Sequence, residues 1–498
     1  MNVNPITRLD YPDLDVIRVE DTYYMVSTTM HFMPGCEILQ SFDLVHWEHA
    51  TYVYETLDHT DAQQLKSGQN IYGQGMWAAS LRYHEGRFYI CFVANDTRKT
   101  YLYTSEKIDG PWKKQLIEGF YHDGSLLFDE DGRNYIVYGN DEIWITELNE
   151  DLTAPKKDGL HRLLVSDHKN PELGYEGSHI QKINGYYYIF LIHSLRDRWM
   201  RTEACFYSDS LEGEFTGGDV LCDDRGYCGQ GVAQGGIVDT PDGKWYAMLF
   251  QDSGAVGRLP ILLPVTWKDH FPVFGQNGHV PEEIEVHSTR PGYIYQPLVG
   301  SDDFCNGLLP RWQFNHDPDP RYYHLDALQG TYTITTREVC TELTQAVNTL
   351  TQRMSYPSCA AEVTVDASAL KEGDVAGLCA LQSCYAAVGI TKHHGKYEVL
   401  MLDKKEDGIL DMTEGTVVES HQMDFRLEAD FCNMKDEARC YYRVNKGDWL
   451  PIGTVHKLYF KLDHFTGCRF GLFCYAAEET GGSACFRDFK YYDVDEIS

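Results

Sequence analysis

Along most of the chain, short apolar stretches alternate with single polar positions at a period of two. The alternation is interrupted at intervals by acidic, Asn or Gly turns. This pattern predicts half-buried strands joined by tight hairpins. The plainest example is 179–191, where Asn184-Gly185 separates an alternating strand from the aromatic run Tyr186-Tyr-Tyr-Ile-Phe-Leu. An Asn-Gly pair tolerates positive φ at both central positions and so favours a two-residue hairpin. The same order of small residue, apolar strand, turn and aromatic strand recurs from Asp13, Ala78, Asp123, Glu176 and Gln234. The third residue after each turn is Tyr24, Tyr89, Tyr135, Tyr188 and Tyr246, at intervals of 65, 46, 53 and 58 residues.

Repeats of this length, made of strands without helical periodicity, predict propeller blades. Segments 41–47, 105–112, 208–215 and 263–267 read as weaker echoes that supply the outer strands. Five blades account for residues 1–285. A sandwich whose turns merely look alike is the weaker account, because five copies hold one register. Residues 286–300, with Thr289-Arg-Pro-Gly-Tyr, read as a linker. In 301–498, short strands at 359–365, 376–381, 397–402 and 468–475 alternate with turns, which predicts an antiparallel β-sandwich. The expected fold class is therefore all-β, a five-bladed β-propeller followed by a β-sandwich.

Charge narrows the partners. Lys plus Arg total 43 against 75 Asp plus Glu, a balance of −32. Nucleic acid and anionic membrane surfaces need a positive footprint, so neither is expected to bind. A neutral sugar is not repelled, and 13% aromatic residues with 34 Tyr suit a sugar-binding surface as well as a β-rich fold. The sequence shows no apolar run of signal-peptide or membrane-span length, which leads to the expectation of a cytoplasmic protein. Fifteen Cys without a Cys-x-x-Cys pair read as buried reduced thiols and not as a zinc site.

Matched positions of successive blades lie at matched height around the propeller axis. By register, Asp13, Ala78, Asp123, Glu176 and Gln234 ring one end of the channel. Three carboxylates in one cavity repel one another, and the shared burial raises at least one pKa. Proteins tolerate this mostly where a metal or acid–base chemistry uses it. A hard cation wants more oxygen ligands than three spread-out carboxylates, and no calcium loop is present, which favours acid–base chemistry. Trp77 and the cluster Met30-His-Phe-Met33, including Phe32, offer apolar platforms for sugar rings. Two carboxylates beside a sugar fit glycoside hydrolysis, one protonating the leaving group and one activating water, with a third tuning the acid.

At these residues the chain resembles glycoside hydrolase family 43 over nearly its whole length, particularly the exo-acting β-xylosidase and α-L-arabinofuranosidase members. Tyr11-Pro-Asp-Leu-Asp-Val, His122-Asp-Gly-Ser-Leu and Tyr175-Glu-Gly-Ser-His look like the family's three acidic motifs, in order. The resemblance implies an inverting mechanism with Asp13 as general base, Glu176 as general acid and Asp123 as the modulator that also orients substrate. Gly257-Arg-Leu-Pro-Ile is similar to the segment carrying an active-site arginine, which implies Arg258 beside the sugar hydroxyls. The C-terminal part looks like the concanavalin-like accessory sandwich that helps close the pocket. The chain departs from related xylosidases at Trp77-Ala-Ala-Ser, where they have Trp-Ala-Pro-Asp, and at Met30, where they place a pocket Phe. It has Gln234 where the family often has a His near a central calcium ion. No cofactor is required on this account, and calcium near Gln234 stays open.

The expected activity is release of terminal β-D-xylose, with α-L-arabinofuranose as a second product, from short xylo- and arabinoxylo-oligosaccharides. Predominant α-L-arabinofuranosidase activity and a non-catalytic carbohydrate-binding propeller are the alternatives. A retaining, fructose-releasing propeller is disfavoured because no Asn-Asp-Pro-Asn motif occurs. Oligosaccharide is the expected partner, and a homo-oligomer is compatible with the sequence.

Overall fold

Alternating apolar positions give each hairpin one face to bury, and the hairpins stack accordingly. In the computed structural model, which describes residues 3–493, the first 274 residues hold five four-stranded antiparallel sheets. Their innermost strands are Asp15–Val19, Met76–His84, Ser125–Phe128, Glu176–Ile183 and Val232–Asp239. Each lies against the next, and the fifth returns to the first, so the sheets close into a five-bladed propeller. Each junction between blades has its own apolar filling. Leu127 and Tyr135 of the third blade pack with Ile180 and Ile189 of the fourth, and Val16 and Tyr23 of the first pack with Met248 and Phe250 of the fifth. Burial of side chains this large stabilises by about 1.5–3 kcal/mol each. The N-terminal segment locks the closing junction: the Asn4 side chain donates to Leu262 O at 2.7 Å and accepts from Leu262 N at 2.8 Å.

The hairpin at Asn184-Gly185 has φ of 51° and 85°, as its sequence requires. The outer strands lie elsewhere than expected. Segments 41–47, 105–112 and 208–215 are turns, and the outer strands begin after them, at Glu48, Lys113 and Thr216. Their regularity reflects turn chemistry. Ser41 Oγ accepts from Leu44 N at 2.8 Å, and Trp47 donates its indole N–H to Leu44 O at 3.0 Å. Segment 263–267 belongs to the third strand of its blade, Arg258–Lys268. The outer strands escaped detection because they are polar and exposed, as in Lys113–Ile117, and so lack an apolar period.

After Phe274 the chain crosses the first blade, where Thr289 N donates to Phe42 O at 2.7 Å and Gln296 N donates to Glu48 at 2.8 Å. It then enters a sandwich of a nine-stranded and a seven-stranded sheet. One strand of the larger sheet comes from the propeller: Phe32–Met33, in a first-blade loop, pairs with Gln313–Asn315. Beside it His31, His316 and His464 are buried together, with His31 4.8 Å from His316 and 5.3 Å from His464 between ring centres. All 15 cysteines are free, ten of them buried. Among the described residues no helix is long and apolar enough to cross a membrane.

Candidate active site

The ring expected from register forms, with one offset. Asp13, Ala78, Asp123, Gly177 and Gln234 all have left-handed backbones, with φ of 52°, 33°, 48°, 65° and 61°. This is one kink repeated in five blades, at a cost that side-chain-bearing residues bear only where the surroundings enforce it. In the fourth blade the kinked residue is Gly177, and the pairing register slips between Glu176 and His179. A Cβ on Gly177 would lie 2.7 Å from Gln234 Cγ, so glycine is needed there for packing as well as for φ. Glu176 is thus one residue ahead of the position that register assigned, level with Trp77 and His122. It reaches the same cavity from a different rung.

The three acids are held in different ways. Asp13 is buried and accepts from Arg258 Nη1 at 2.6 Å and Thr28 Oγ1 at 2.7 Å. Thr28 in turn accepts from Ala78 N at 2.8 Å. Arg258 continues to Asp252 at 3.2 Å, and Asp252 meets Arg201 at 2.9 Å, so charges alternate from Asp13 through Arg258 and Asp252 to Arg201. Asp123 accepts from Gly177 N at 2.9 Å. Its pKa is pushed up to about 6 by burial, against the pull of His122 and with help from Glu176 and Asp13. Glu176 accepts from Asn140 Nδ2 at 2.6 Å. Burial drives the Glu176 carboxyl upward, but His122, Arg201 and Arg258 outweigh it and hold the group below its ordinary value. His122 is the reciprocal case: the Asp123 carboxylate, assisted by Glu176 and Asp13, raises its imidazole to about 9 against burial.

The apolar residues divide between site and seam. Trp77 is partly exposed, with its ring 6.5 Å from His122 and 5.0 Å from Phe465 of the sandwich. Phe465 also stacks on Arg258 at 3.9 Å. Its loop is anchored by Asp10, which accepts from Gly467 N and Arg258 N, both at 2.7 Å. The sandwich therefore delivers one aromatic ring to the mouth of the propeller. Met30 and Phe32, expected as sugar platforms, are fully enclosed instead. Met30 accepts a long hydrogen bond from Thr466 at 3.4 Å, and Phe32 lies under the Arg469 guanidinium at 3.5 Å. The physical reason is the shared strand, which turns this loop into the sandwich sheet.

Beneath the acids lies a polar layer on the propeller axis. That layer is organised around Arg82, which donates to Asp15 at 2.7 Å, to Ser125 at 2.7 Å and to Leu126 O at 2.8 Å. Asp15 also pairs with His179 Nδ1 at 3.1 Å. The Gln234 side chain packs on Gly177, and the Gln234 backbone N–H donates to Glu203 at 2.7 Å. Beyond Arg82, at the opposite mouth, lies a separate cavity of about 420 Å³.

Sequence reasoning missed His122, Asn140, Arg201, Asp252 and Phe465. Only His122 carried a usable signal, since it immediately precedes Asp123. Asn140, Arg201 and Asp252 sit at the ends of second and third blade strands, and Phe465 comes from the second domain.

Residues 3–272 match the family model described as glycosyl hydrolases family 43, and residues 301–492 match the beta xylosidase C-terminal concanavalin A-like domain. A beta-xylosidase of Formosa agariphila is 26% identical, over 99% of this chain and 89% of its own length. A xylosidase/arabinosidase of Butyrivibrio fibrisolvens is 24% identical, over 99% of both chains. Among solved structures, a bifunctional GH43-CE protein of Bacteroides eggerthii superposes with a TM-score of 0.92 at 42% identity. That match covers 99% of this chain and 64% of the other.

Proposed function

The chain belongs to glycosyl hydrolases family 43, and from that membership we propose that it is an exo-acting, inverting glycosidase. It removes terminal β-D-xylose, and also α-L-arabinofuranose, from the non-reducing ends of xylo- and arabinoxylo-oligosaccharides. Relatives named for both activities support this pair of products.

The observation that carries the reading is the unequal treatment of three converging carboxylates. Asp13, bound to Arg258 and Thr28, is kept in place to draw a proton from water. Glu176, on another blade with Asn140 fixing its carboxyl, is placed to deliver a proton to the glycosidic oxygen. In the inverting reaction water attacks the anomeric carbon as the C–O bond opens on the opposite face, so base and acid must come from different sides of the sugar. Asp123 adds charge beside the acid. The Phe465 ring, packed on Trp77 and on the Arg258 guanidinium that holds Asp13, supports end-on recognition of a terminal sugar over threading of a polymer. No step is assigned to a metal.

NMR of the first-formed anomer from xylobiose tests the mechanism, with inversion expected. Retention of configuration, or a Glu176→Ala protein with full activity on xylobiose, overturns it. Side-by-side kinetics on nitrophenyl β-xyloside and α-L-arabinofuranoside test the product pair.

A further inference from the structure

His122 has no role in the reaction as written, yet it occupies a demanding place. The one-residue offset at Gly177 puts it on the same rung as Glu176 in the adjoining blade. Its Nε2 lies 3.6 Å from Glu176 Oε2 and 3.6 Å from Asp123 Oδ2. That nitrogen is shielded from solvent and has no hydrogen-bond partner. A shift of well under 1 Å would bring it into hydrogen-bond range of either oxygen. The backbone beneath is fixed, because Gly139 N donates to His122 O at 3.0 Å. Charges reach the imidazole from three blades: Asp123 from its own, Glu176 from the fourth and Asp13 from the first. Arg201 and Arg258 face Glu176 from the far side, and Trp77 supplies the neutral wall.

We propose that His122 is the proton store of the general acid: it passes its Nε2 proton to Glu176 as Glu176 protonates the leaving oxygen. This rests on the glycosidase reading above. In the step, the Nε2–H bond breaks and an O–H bond forms on Glu176. The Glu176 proton moves to the glycosidic oxygen, which takes the electron pair of the breaking C–O bond. Asp13 meanwhile accepts the proton of the attacking water. The turnover ends with His122 neutral and Asp13 protonated, and exchange with solvent restores both.

The arrangement answers a difficulty in the site. A general acid must be protonated at working pH, but two guanidinium groups and an imidazole all favour the Glu176 carboxylate. A store that holds its proton to about pH 9 keeps the total proton count of the pair correct well above the range of a carboxyl alone. His122 is a positioning and proton-supplying residue, acting through Glu176.

The test is the pH profile of kcat/KM for wild type, His122→Gln and His122→Asn, on xylobiose and on 4-nitrophenyl β-xyloside. Wild type is expected to keep its alkaline limb near pH 9, and both variants to lose it at least 2 pH units lower. At pH 8 the variants should lose on the order of 10²-fold on xylobiose, whose leaving group needs the proton, but only a few-fold on the nitrophenyl substrate, whose leaving group does not. An unmoved alkaline limb, or equal losses on the two substrates, overturns the proposal while leaving the glycosidase reading intact. A wild-type protein inactive on both of these substrates and on 4-nitrophenyl α-L-arabinofuranoside overturns the glycosidase reading itself, and the proposal with it.

Discussion

The three histidines in the domain seam make a quantitative prediction. His31, His316 and His464 come from the first blade and from two distant parts of the sandwich, and all are buried. Burial lowers each one's pKa, to about 3 for His316, to about 4 for His464 and well below the ordinary value for His31; repulsion from the neighbouring imidazoles adds to it for His316 and His31, while Asp463 opposes it for His464. A group that titrates lower in the folded state leaves the unfolded state with more bound protons as pH falls. Stability from these groups is therefore whole above pH 6.5 and is lost progressively below it, down to each folded pKa. At pH 5 each histidine costs about 1.5 × 1.36, or roughly 2 kcal/mol, so the three together cost about 6 kcal/mol. Buried carboxyls raised to about 6, at Asp10, Asp374 and Asp436, gain stability over the same interval and mask much of this in the wild type. The measurement must therefore be differential. In equilibrium urea unfolding, His316→Gln is compared with wild type at pH 8 and pH 5. Whatever the substitution costs at pH 8, the variant should recover about 2 kcal/mol relative to wild type at pH 5. An offset constant within about 0.5 kcal/mol would show that the seam does not discriminate against protonated imidazole.

Four further outcomes follow from the site. Phe465→Ala removes an aromatic pair and a cation–π contact worth about 1–3 kcal/mol together, so KM for xylobiose should rise about tenfold or more with kcat less affected; an unchanged KM would remove the sandwich from the binding site. Arg258→Lys replaces a planar fork that joins Asp13 to Asp252 with a point charge that cannot hold both, and kcat/KM should fall about 10²-fold as Asp13 loses its alignment. Exhaustive chelation should leave wild-type activity unchanged, because Arg82 supplies the axial positive charge, whereas Arg82→Leu should destabilise by about 3–5 kcal/mol by leaving buried Asp15 without its guanidinium partner, read by urea unfolding.

The fold was largely legible because each blade repeats its own hairpin, and a Tyr at one place in five copies is hard to produce by accident. Tyr135, Tyr188 and Tyr246 are indeed buried between blades. The outer strands were not legible, since a polar exposed strand such as Thr216–Leu221 has no period to read. Asp13, Asp123 and Glu176 could be named from motif and register, but the true rung of Glu176 could not. Glu176 stands one place ahead of Gly177, the kinked residue of its blade, and the bulge there recurs in the second and fifth blades, so nothing in the repeat marks the shift. That hidden shift also concealed the kinship of His122 with Glu176. Contacts across domains were beyond reach for a simpler reason. His31, His316 and His464, or Trp77 and Phe465, are hundreds of residues apart in part, and nothing local in either segment announces its partner.

The two-residue strand Phe32–Met33 changes what counts as a module here. Two family models divide the chain cleanly near residue 300, yet a loop of the first blade supplies a rung of the sandwich sheet. Cutting the chain at that boundary would strip a hydrogen-bonding partner from each half and bare an apolar edge on both, the usual invitation to aggregation. For anyone exchanging catalytic and accessory parts among such enzymes, the loop that carries Phe32 and Met33 must travel with the sandwich it completes, although it is encoded some 280 residues before Gln313.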